Sequence, residues 1–304
     1  MNFKLFLFVE EDFGQPNENP GRLGLFFVGR SVKVVTKSII NGVEHLLQPS
    51  DESGFIEEKL ELSNEDIQTL SHRIHPDADD RQFEYEIRIN ESKTDVDYTG
   101  FKCTIYALAH TGVSIISDID DTIKISKVIS KAALLKHTFY NYFEPVTGMS
   151  ELYQKWAEQK CQFHYVSASP WQLYPALRCF LEKYKYPKGT MNLRKFSWSF
   201  KFLKLPDTYK IEILTQIIES YPYRSYIFVG DSGEFDPEIY GRMFHLFPSN
   251  IIHIFIRDVC PVVTCPETCQ QRYEKAFENI PDHRWTIFKN PTELPTNLEQ
   301  IFLM

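Results

Sequence analysis

The stretch of sequence that decides the fold is Val113-Ser-Ile-Ile-Ser-Asp-Ile-Asp-Asp-Thr-Ile-Lys124. Its first part, Val113–Ser117, is a short apolar run that predicts a buried strand. Its second part brings Asp118, Asp120 and Thr122 directly after that strand. Two carboxylates held this close need a cation, or one of them must take up a proton. The stretch therefore predicts a charged site at the end of a buried strand.

Strands and helices alternate on the carboxyl-terminal side of this stretch. Apolar runs predict strands over Phe163–Val166, Tyr226–Val229 and Ile251–Ile256. Helices are predicted over Met149–Gln159, from Pro170 to about Tyr184, and over Thr208–Ser220. Such alternation is typical of a parallel sheet that is covered by helices on both faces. The fold expected for residues 111–304 is therefore α/β.

Several reactive groups are expected to meet at one edge of this sheet, because the carboxyl ends of parallel strands lie together. Ser167 comes directly after the second strand, and Asp231 and Asp236 come after the third. Lys210 lies on the helix before that third strand. A hydroxyl, an ammonium and carboxylates are the groups that handle phosphate beside a hard metal ion. The sequence thus predicts phosphate chemistry at the edge that carries Asp118.

These residues also have ordinary alternatives. A calcium-binding loop starting at Asp118 fails, because the chain has Ile at the positions where that motif needs Gly and Glu. The tetrapeptide Gly230-Asp-Ser-Gly233 also surrounds the nucleophile of chymotrypsin-like proteases, but those proteins are all-β barrels. A surface cluster would explain the aspartates, and Lys210 would then be a solvated helix residue. Ser169, ahead of Pro170, is better explained as a helix N-cap.

The first third of the chain differs from the rest in charge and in hydrophobic period. Residues 1–110 hold 20 of the 41 acidic residues but only 11 of the 33 basic ones, which indicates a domain boundary near residue 110. Short alternating runs predict strands over Phe3–Val9, Arg22–Val35, Val43–Leu47, Phe55–Leu62, Phe83–Ile89 and Phe101–Ala107. We expect a β-rich, sandwich-like domain over residues 1–110 and a catalytic domain over residues 111–304.

Length and composition exclude several classes of protein. The chain has 304 residues, of which 43% are hydrophobic and 14% aromatic, so general disorder is excluded. No apolar run reaches the roughly 18–20 residues of a membrane helix, and Leu5–Val9 is too short for a secretory signal. A cytoplasmic protein is expected. The spacing of Cys260, Cys265 and Cys269 does not suit zinc, and that compartment disfavours a disulfide.

One segment stands out in a chain whose net charge is −8. Residues 183–204 contain no acidic residue, six aromatic residues and seven basic ones: Lys183, Lys185, Lys188, Arg194, Lys195, Lys201 and Lys204. Basic and aromatic side chains together favour an anionic membrane surface. They also suit nucleic acid, but the chain is acidic and carries no nucleic-acid motif. A strand over residues 196–202 with one buried face remains open beside membrane contact.

The order of the motifs resembles the haloacid dehalogenase (HAD) superfamily, which has Asp-x-Asp-x-Thr and Ser after strands, a helical Lys, and Gly-Asp-(x)4-Asp. Over about residues 111–290 the sequence is similar to the actin-patch-protein family of phosphatidate phosphatases, which are relatives of lipins. The segments are Ser114–Lys124, Val146-Thr-Gly-Met149, Val166-Ser-Ala-Ser-Pro-Trp171, Gly230-Asp-Ser-Gly-Glu-Phe-Asp-Pro-Glu-Ile-Tyr240 and Ile256-Arg-Asp-Val259. One departure is Tyr209, because many relatives have His before the motif Lys.

The resemblance implies a HAD-like, Rossmann-like fold and a Mg²⁺-dependent phosphatase that converts phosphatidate to diacylglycerol and phosphate through an aspartyl-phosphate. Asp118 is then the nucleophile and Asp120 the acid and base. Thr122 ties down the loop, while Ser167 and Lys210 contact the phosphoryl group. The implied ligands of Mg²⁺ are the Asp118 carboxylate, the main-chain carbonyl of Asp120, Asp231 and, in support, Asp236.

The expected partner is an anionic phospholipid substrate at a membrane surface, with peripheral association of the protein and no nucleic acid. Lys195, Lys201 and Lys204 are expected to bind this lipid. Two alternatives remain at this point. One is a phosphatidate-binding module without catalysis, although the intact pair Asp118 and Asp120 favours an enzyme. The other is the same chemistry on a soluble phosphomonoester. The sequence indicates no protein partner.

Overall fold

The computed structural model of the protein describes residues 2–6, 36–40, 43–51, 55–59, 81–89, 101–126, 143–195, 206–259 and 266–303. Among these, the residues up to Ala109 belong to one compact unit and those from His110 onward to a second. The predicted boundary near residue 110 stays a prediction about domains, because compactness alone does not show that either part folds independently.

The first unit is built from antiparallel strands. They are β1 (Asn2–Phe6), β2 (Thr36–Ile40), β3 (Val43–Leu46), β4 (Phe55–Lys59), β5 (Arg81–Ile89) and β6 (Phe101–Ala107). β1 pairs with β4, and a four-stranded sheet has the order β3-β2-β5-β6. The expected β-rich character is confirmed. β2 was not predicted, the predicted strand Arg22–Val35 lies outside the described residues, and sandwich packing stays a prediction.

The second unit is a parallel sheet with helices. Its strands are β7 (Val113–Ser117), β8 (Lys124–Ile125), β9 (Glu144–Pro145), β10 (Gln162–Pro170), β11 (Gly189–Arg194), β12 (Ser225–Asp231), β13 (Ile251–Arg257) and β14 (Trp285–Phe288). Its α-helices are α1 (Met149–Ala157), α2 (Tyr174–Lys183), α3 (Pro206–Ser220), α4 (Asp236–Leu246), α5 (Pro266–Ala276) and α6 (Leu298–Leu303). Single 3₁₀ turns cover Trp171–Leu173, Asp282–Arg284 and Pro291–Glu293.

Six of these strands form one sheet in the order β11-β10-β7-β12-β13-β14, and all its pairs are parallel. Successive side chains of a strand point to opposite faces, so each face needs its own cover. Ile115 packs in one apolar cluster with α1 and α2, whereas Ile116 packs in another with α3, α4 and α5. This two-sided core confirms the α/β sheet covered on both faces.

The register of the central strands places the predicted site residues at one level. Tyr165 of β10 and Val229 of β12 both pair with Ser117, the last residue of β7. Ser167 and Asp231 therefore both lie two residues beyond the end of β7, on its two sides. This is the edge of a parallel sheet where ligands bind.

Two local expectations are wrong. The predicted helix from Pro170 begins later, because β10 runs to Pro170 and α2 starts at Tyr174. The residue before a proline prefers extended backbone, which keeps Ser169 in the strand. Cys269 is disulfide-bonded, so the expectation that this cluster forms no disulfide is also wrong. No helix within the described residues is long and apolar enough to cross a membrane.

Candidate active site

The loop after β7 brings Asp118 and Asp120 to the sheet edge and turns away. The Asp118 amide donates to the Val229 carbonyl at 2.9 Å, which fixes the start of the loop against β12. Asp121 has a φ of 55°, in the left-handed region that aspartate tolerates better than most residues. The amides of Ile123 and Lys124 then donate back to the Ile119 carbonyl. The chain is thus reversed within one tight turn.

Asp118 is bound by groups from two other segments. Its Oδ1 lies 2.7 Å from Lys210 Nζ, and its Oδ2 accepts a hydrogen bond from Thr122 Oγ1 at 3.3 Å. Lys210 also donates to Asp236 Oδ1 at 2.5 Å. Asp118 and Lys210 are each only 2% exposed. The alternatives of an acidic surface cluster and a solvated helix lysine are therefore wrong.

Three buried carboxylates, those of Asp118, Asp231 and Asp236, have oxygens within 4.8 Å of one another. Gly233 N donates to Asp231 Oδ1 at 2.6 Å, which orients that side chain. A Cβ at Gly230 would lie 2.5 Å from Asp236 Oδ2, so glycine is needed for the close approach. Carboxylate oxygens are preferred by hard cations. Three carboxylates facing one ammonium leave an excess of negative charge, so the cluster fits a divalent metal ion.

Electrostatics at this cluster follow from burial. Loss of solvent raises the pKa of Asp118 well above its usual range, although the Lys210 ammonium opposes this. Burial also raises the pKa of Asp231, and the negative charges of Asp236 and Asp118 add to the effect. The pKa of Lys210 is raised despite its burial, because Asp118 and Asp236 outweigh the loss of solvent. Proton and metal ion therefore compete for these carboxylates.

Asp120 has a separate set of partners. Its Oδ1 is 2.6 Å from Lys124 Nζ and 2.6 Å from Ser126 Oγ. Its Oδ2 accepts hydrogen bonds from Ser167 Oγ at 3.1 Å and Ser169 Oγ at 2.8 Å. Burial by itself would raise the pKa of Asp120, but the Lys124 charge and the donated hydrogen bonds lower it to about 2. Asp120 is therefore a carboxylate in this state.

Around Asp118 and Asp120 the structure places the five other predicted residues of the site: Thr122, Ser167, Lys210, Asp231 and Asp236. Asp118, Thr122, Lys210, Asp231 and Asp236 form one contact group, and Ser167 contacts Asp120. Of the expected lipid-binding lysines, Lys195 is exposed just after β11, whereas Lys201 and Lys204 lie outside the described residues.

The explanation of Ser169 as a helix cap is wrong. The 3₁₀ turn that follows has Pro170 at its N-cap position and no side-chain cap. The Ser169 hydroxyl instead donates to Asp120, and its amide donates to Ser167 Oγ at 3.0 Å. Because Ser169 still belongs to the extended β10, its side chain lies beside that of Ser167 at the edge of the sheet. The signal in the sequence was Pro170, which favours extended backbone before it.

Sequence reasoning also missed Lys124, Ser126 and Glu234. Lys124 is 2% exposed and Ser126 is fully buried. Glu234 is half-buried, and its pKa rises to about 7, chiefly through burial, with Lys210 opposing and Asp120 adding to the rise. Tyr209, at the position where many relatives have His, packs against the core beside Lys210. Lys124 ends the first family-like segment and Ser126 lies just beyond it, but no role was expected for either, and only the turn of the chain shows that both contact Asp120.

The segment that carries this site is similar to known proteins. Residues 113–258 match the family model described as phosphatidate phosphatase APP1, catalytic domain. Over this segment, which is just under half of the chain, the protein is similar to the APP1 family. The match includes every motif of the site, from Asp118 to Asp236, together with the whole central sheet except β14.

Two curated relatives of this segment come from yeasts. An uncharacterized protein of Schizosaccharomyces pombe is 35% identical over 157 residues, covering 50% of this chain and 26% of that protein. Phosphatidate phosphatase APP1 of Saccharomyces cerevisiae is 31% identical over 152 residues, covering 48% of this chain and 26% of that protein. The alignments thus span about a quarter of either relative.

A solved structure is also similar, namely the class C acid phosphatase from Bacillus anthracis with tungstate bound. It is 14% identical, has a TM-score of 0.32, and the alignment covers 59% of this chain and 67% of that one.

Proposed function

We propose that the protein is a Mg²⁺-dependent phosphatidate phosphatase that releases phosphate and leaves diacylglycerol. The observation that carries the proposal is the Asp118 carboxylate, buried between Lys210 and the pair Asp231 and Asp236. The APP1 family match and the yeast phosphatidate phosphatase supply the substrate class. A nucleophile, a cation and a metal-binding set at one edge are the parts that phosphoryl transfer needs.

Asp118, Asp231 and Asp236 would hold the ion, together with the main-chain carbonyl of Asp120. Bound Mg²⁺ offsets the repulsion between these carboxylates and the phosphate dianion. Lys210 adds a second positive charge on the same side, since it lies 2.7 Å from Asp118. The raised pKa of Asp118 in the metal-free protein means that full ionisation of the nucleophile depends on these cations.

In the first step an Asp118 oxygen attacks phosphorus, and the bond from phosphorus to the leaving oxygen breaks. Asp120 donates a proton to that oxygen, so diacylglycerol leaves as a neutral alcohol. Asp120 is ionised before substrate binds, and it takes up this proton from solvent as the approaching phosphate dianion raises the pKa of its carboxyl. Thr122 holds Asp118 in place through its hydrogen bond.

In the second step Asp120 takes a proton from water, whose oxygen attacks phosphorus. The acyl-phosphate bond breaks, phosphate leaves, and Asp118 is regenerated as a carboxylate. Ser167 lies at the level of the reacting groups and donates to a phosphoryl oxygen in place of Asp120. Lys210 neutralises the negative charge that grows on the phosphoryl oxygens.

The deciding experiment measures phosphate release from phosphatidate, lysophosphatidate, glycerol phosphate and a phosphopeptide. We expect Mg²⁺-dependent turnover of phosphatidate above the others, and its loss both in Asp118→Asn and after EDTA treatment, with recovery when Mg²⁺ returns. Binding of phosphatidate without turnover would identify a binding module instead. Fastest turnover of glycerol phosphate would identify a phosphatase of soluble phosphomonoesters. Full activity of Asp118→Asn would refute the nucleophile.

A further inference from the structure

Lys124 is a buried lysine whose charge serves neither the nucleophile nor the carboxylate cluster. Lysine is almost never fully buried unless it is paired. Here its Nζ lies 2.6 Å from Asp120 Oδ1 and 2.6 Å from Ser126 Oγ, and 4.5 Å from the centre of the Phe143 ring. The aromatic face and the two oxygens surround the ammonium. Lys124 is thus directed at one oxygen of one carboxylate.

Backbone hydrogen bonds on both sides of Lys124 fix the position of its ammonium group. Lys124 belongs to β8, which pairs antiparallel with β9. Its amide donates to the Ile119 carbonyl, and its carbonyl accepts from the Asp121 amide at 2.7 Å. Ser126 is fixed as well, because its amide donates to Asp121 Oδ1 at 2.7 Å. The donors on the Oδ1 side therefore form a rigid unit with the loop itself.

The donors on the other oxygen have a different character. Asp120 Oδ2 accepts from the hydroxyls of Ser167 and Ser169, both at the end of β10. Ser167 lies at the same level of the sheet as the residues that follow Asp118. A hydroxyl can rotate to donate to a different acceptor. A phosphoryl group arriving over Asp118 would compete for these hydroxyls and release Oδ2.

We propose that Lys124 is a positioning residue, which together with Ser126 locks Asp120 Oδ1 so that Oδ2 is the oxygen that exchanges a proton with the leaving group. This inference rests on the proposed function, in which Asp120 is the acid. Lys124 touches neither substrate nor the reacting atoms and acts only through Asp120. Its role therefore concerns the departure of the leaving group and not the capture of the phosphoryl group.

A stabilising role alone does not explain the pair. A whole buried ion pair can often be replaced by apolar residues without loss of stability, but removing one partner leaves the other charge buried without compensation and destabilises the protein. In Lys124→Met the methionine fills similar space, and Asp120 keeps the three hydroxyl donors of Ser126, Ser167 and Ser169. We expect this variant to fold, with the circular dichroism of the original protein but a lower melting temperature, because Asp120 loses its charged partner.

The test compares two soluble substrates whose leaving groups differ. The p-nitrophenolate ion leaves p-nitrophenyl phosphate without needing a proton, whereas the alkoxide of glycerol phosphate needs one. For Lys124→Met we expect kcat on glycerol phosphate to fall ~10²-fold, the low end of the range for acid–base catalysis, and kcat on p-nitrophenyl phosphate to fall less than about fivefold. KM should change little for either. Lys155→Met, at an exposed lysine of α1, is the matched control and should change neither.

An equal loss on both substrates, or no loss on either, would overturn the proposal. Ser126→Ala removes the second donor to the same Oδ1 and should show the same selective loss at smaller size. It decides the matter if Lys124→Met does not fold. If the original protein released phosphate from neither soluble substrate nor from phosphatidate, the proposed function itself would fail. If the original protein is active but the variants lose activity equally on both substrates or not at all, only the proposed role of Lys124 is refuted.

Discussion

At the scale of single residues, Asp118 and Asp120 show how the fold separates two carboxylates that are two residues apart. Asp118 is buried among other carboxylates, and its pKa is raised by burial. Asp120 is surrounded by donors, and its pKa falls to about 2. Two carboxyl groups whose pKa values are pushed apart commonly have different catalytic roles. Different roles require that replacing each residue has a different consequence.

The first prediction separates these roles. Asp120→Asn should lower turnover by ~10²–10⁴-fold, because proton transfer to the leaving oxygen is lost. The variant should still bind Mg²⁺, since the proposed metal contact of this residue is a main-chain oxygen. Turnover and the Mg²⁺-induced rise in melting temperature, measured on one preparation, check both statements. A rate within about twofold of the original protein would end the assignment.

The second prediction concerns metal and pH. In the metal-free protein the folded-state pKa values of Asp118 and Asp231 lie above the unfolded ones. Their contribution to stability is therefore present at low pH and is lost as the pH rises through the folded-state pKa values. Mg²⁺ binds the ionised carboxylates and reverses that loss. We expect millimolar Mg²⁺ to raise the melting temperature more at about pH 7.5 than at about pH 5.

Asp231→Asn is the control for this experiment, because it removes one ligand and should abolish most of the rise at either pH. An equal rise at both pH values would mean that Mg²⁺ binds elsewhere. A rise that persists in Asp231→Asn would have the same meaning.

At the scale of secondary-structure elements, helix α5 supports the loop between β12 and α4. Arg272 of α5 donates to the Ser232 carbonyl at 2.6 Å and to the Glu234 carbonyl, and it pairs with Glu238 of α4 at 2.7 Å. That loop joins the two metal-binding candidates Asp231 and Asp236. Groups that orient metal ligands from outside commonly change metal affinity by about 10–100-fold when they are removed.

The third prediction follows from this contact. Arg272→Met should weaken Mg²⁺ affinity by about 10–100-fold, with turnover restored in part by excess Mg²⁺. A titration of activity against Mg²⁺ concentration measures the change. Lys275→Met, at an exposed position one turn later on the same helix, should leave the titration unchanged. Identical curves for the two variants would show that α5 does not influence the metal site.

The central elements were predictable from the sequence because they are buried on both faces. Val113–Ser117 was predicted with its observed bounds, since a strand inside a covered parallel sheet is a continuous apolar run. The edge strands β11 and β14 were not predicted, because their side chains are mostly half-buried and give no such run. Pairing with β10 and β13, which lie far away in sequence, decides that these segments are strands.

The candidate site divides in the same way. Asp118, Ser167 and Asp231 were predictable because each follows a predicted strand, and the parallel sheet brings the ends of those strands together. The burial of Lys124 was not predictable, because a lysine near a turn is ordinarily solvated. Here the left-handed backbone at Asp121 reverses the chain and brings Lys124 against Asp120. Side-chain contacts made by loops depend on backbone geometry that local sequence patterns do not specify.

At the scale of the whole molecule, the described residues from His110 onward form an apolar core on each face of their sheet. Helices of the same unit cover both faces of this sheet. The buried Arg224 side chain holds the start of β7 in place. It donates hydrogen bonds to the carbonyls of Thr111 and Val113 and to the Ser114 hydroxyl.

The fourth prediction is therefore that a protein of residues 111–304 folds and hydrolyses p-nitrophenyl phosphate with a kcat/KM close to that of the full chain. All residues proposed for the chemistry lie within it. Circular dichroism and turnover of the shortened protein check this. A folded but inactive shortened protein would show that residues 1–110 contribute to the active site.

The last prediction is that the basic residues of the stretch 183–204 bind an anionic membrane surface through their charge. Basic residues near an anionic surface contribute about 1 kcal/mol each, and the stretch 183–204 has seven of them with no acidic residue. Lys195, Lys201 and Lys204 changed together to Gln should weaken binding to vesicles that contain phosphatidate. The difference should shrink as salt rises, because screening limits such charges to about 10 Å at 0.1 M. Vesicle sedimentation at several salt concentrations measures it.

Turnover of p-nitrophenyl phosphate should stay near that of the original protein, because that substrate needs only the residues around Asp118. The matched control changes Lys155, Lys275 and Lys289 to Gln, three exposed lysines elsewhere, and removes the same net charge. If the position of the lysines in the stretch 183–204 decides membrane binding, only the first triple variant binds the vesicles more weakly. If both variants bind less by the same factor, the overall charge of the chain governs association. Unchanged binding of the first variant would mean that the stretch supports the fold and that the lipid reaches Asp118 by another surface.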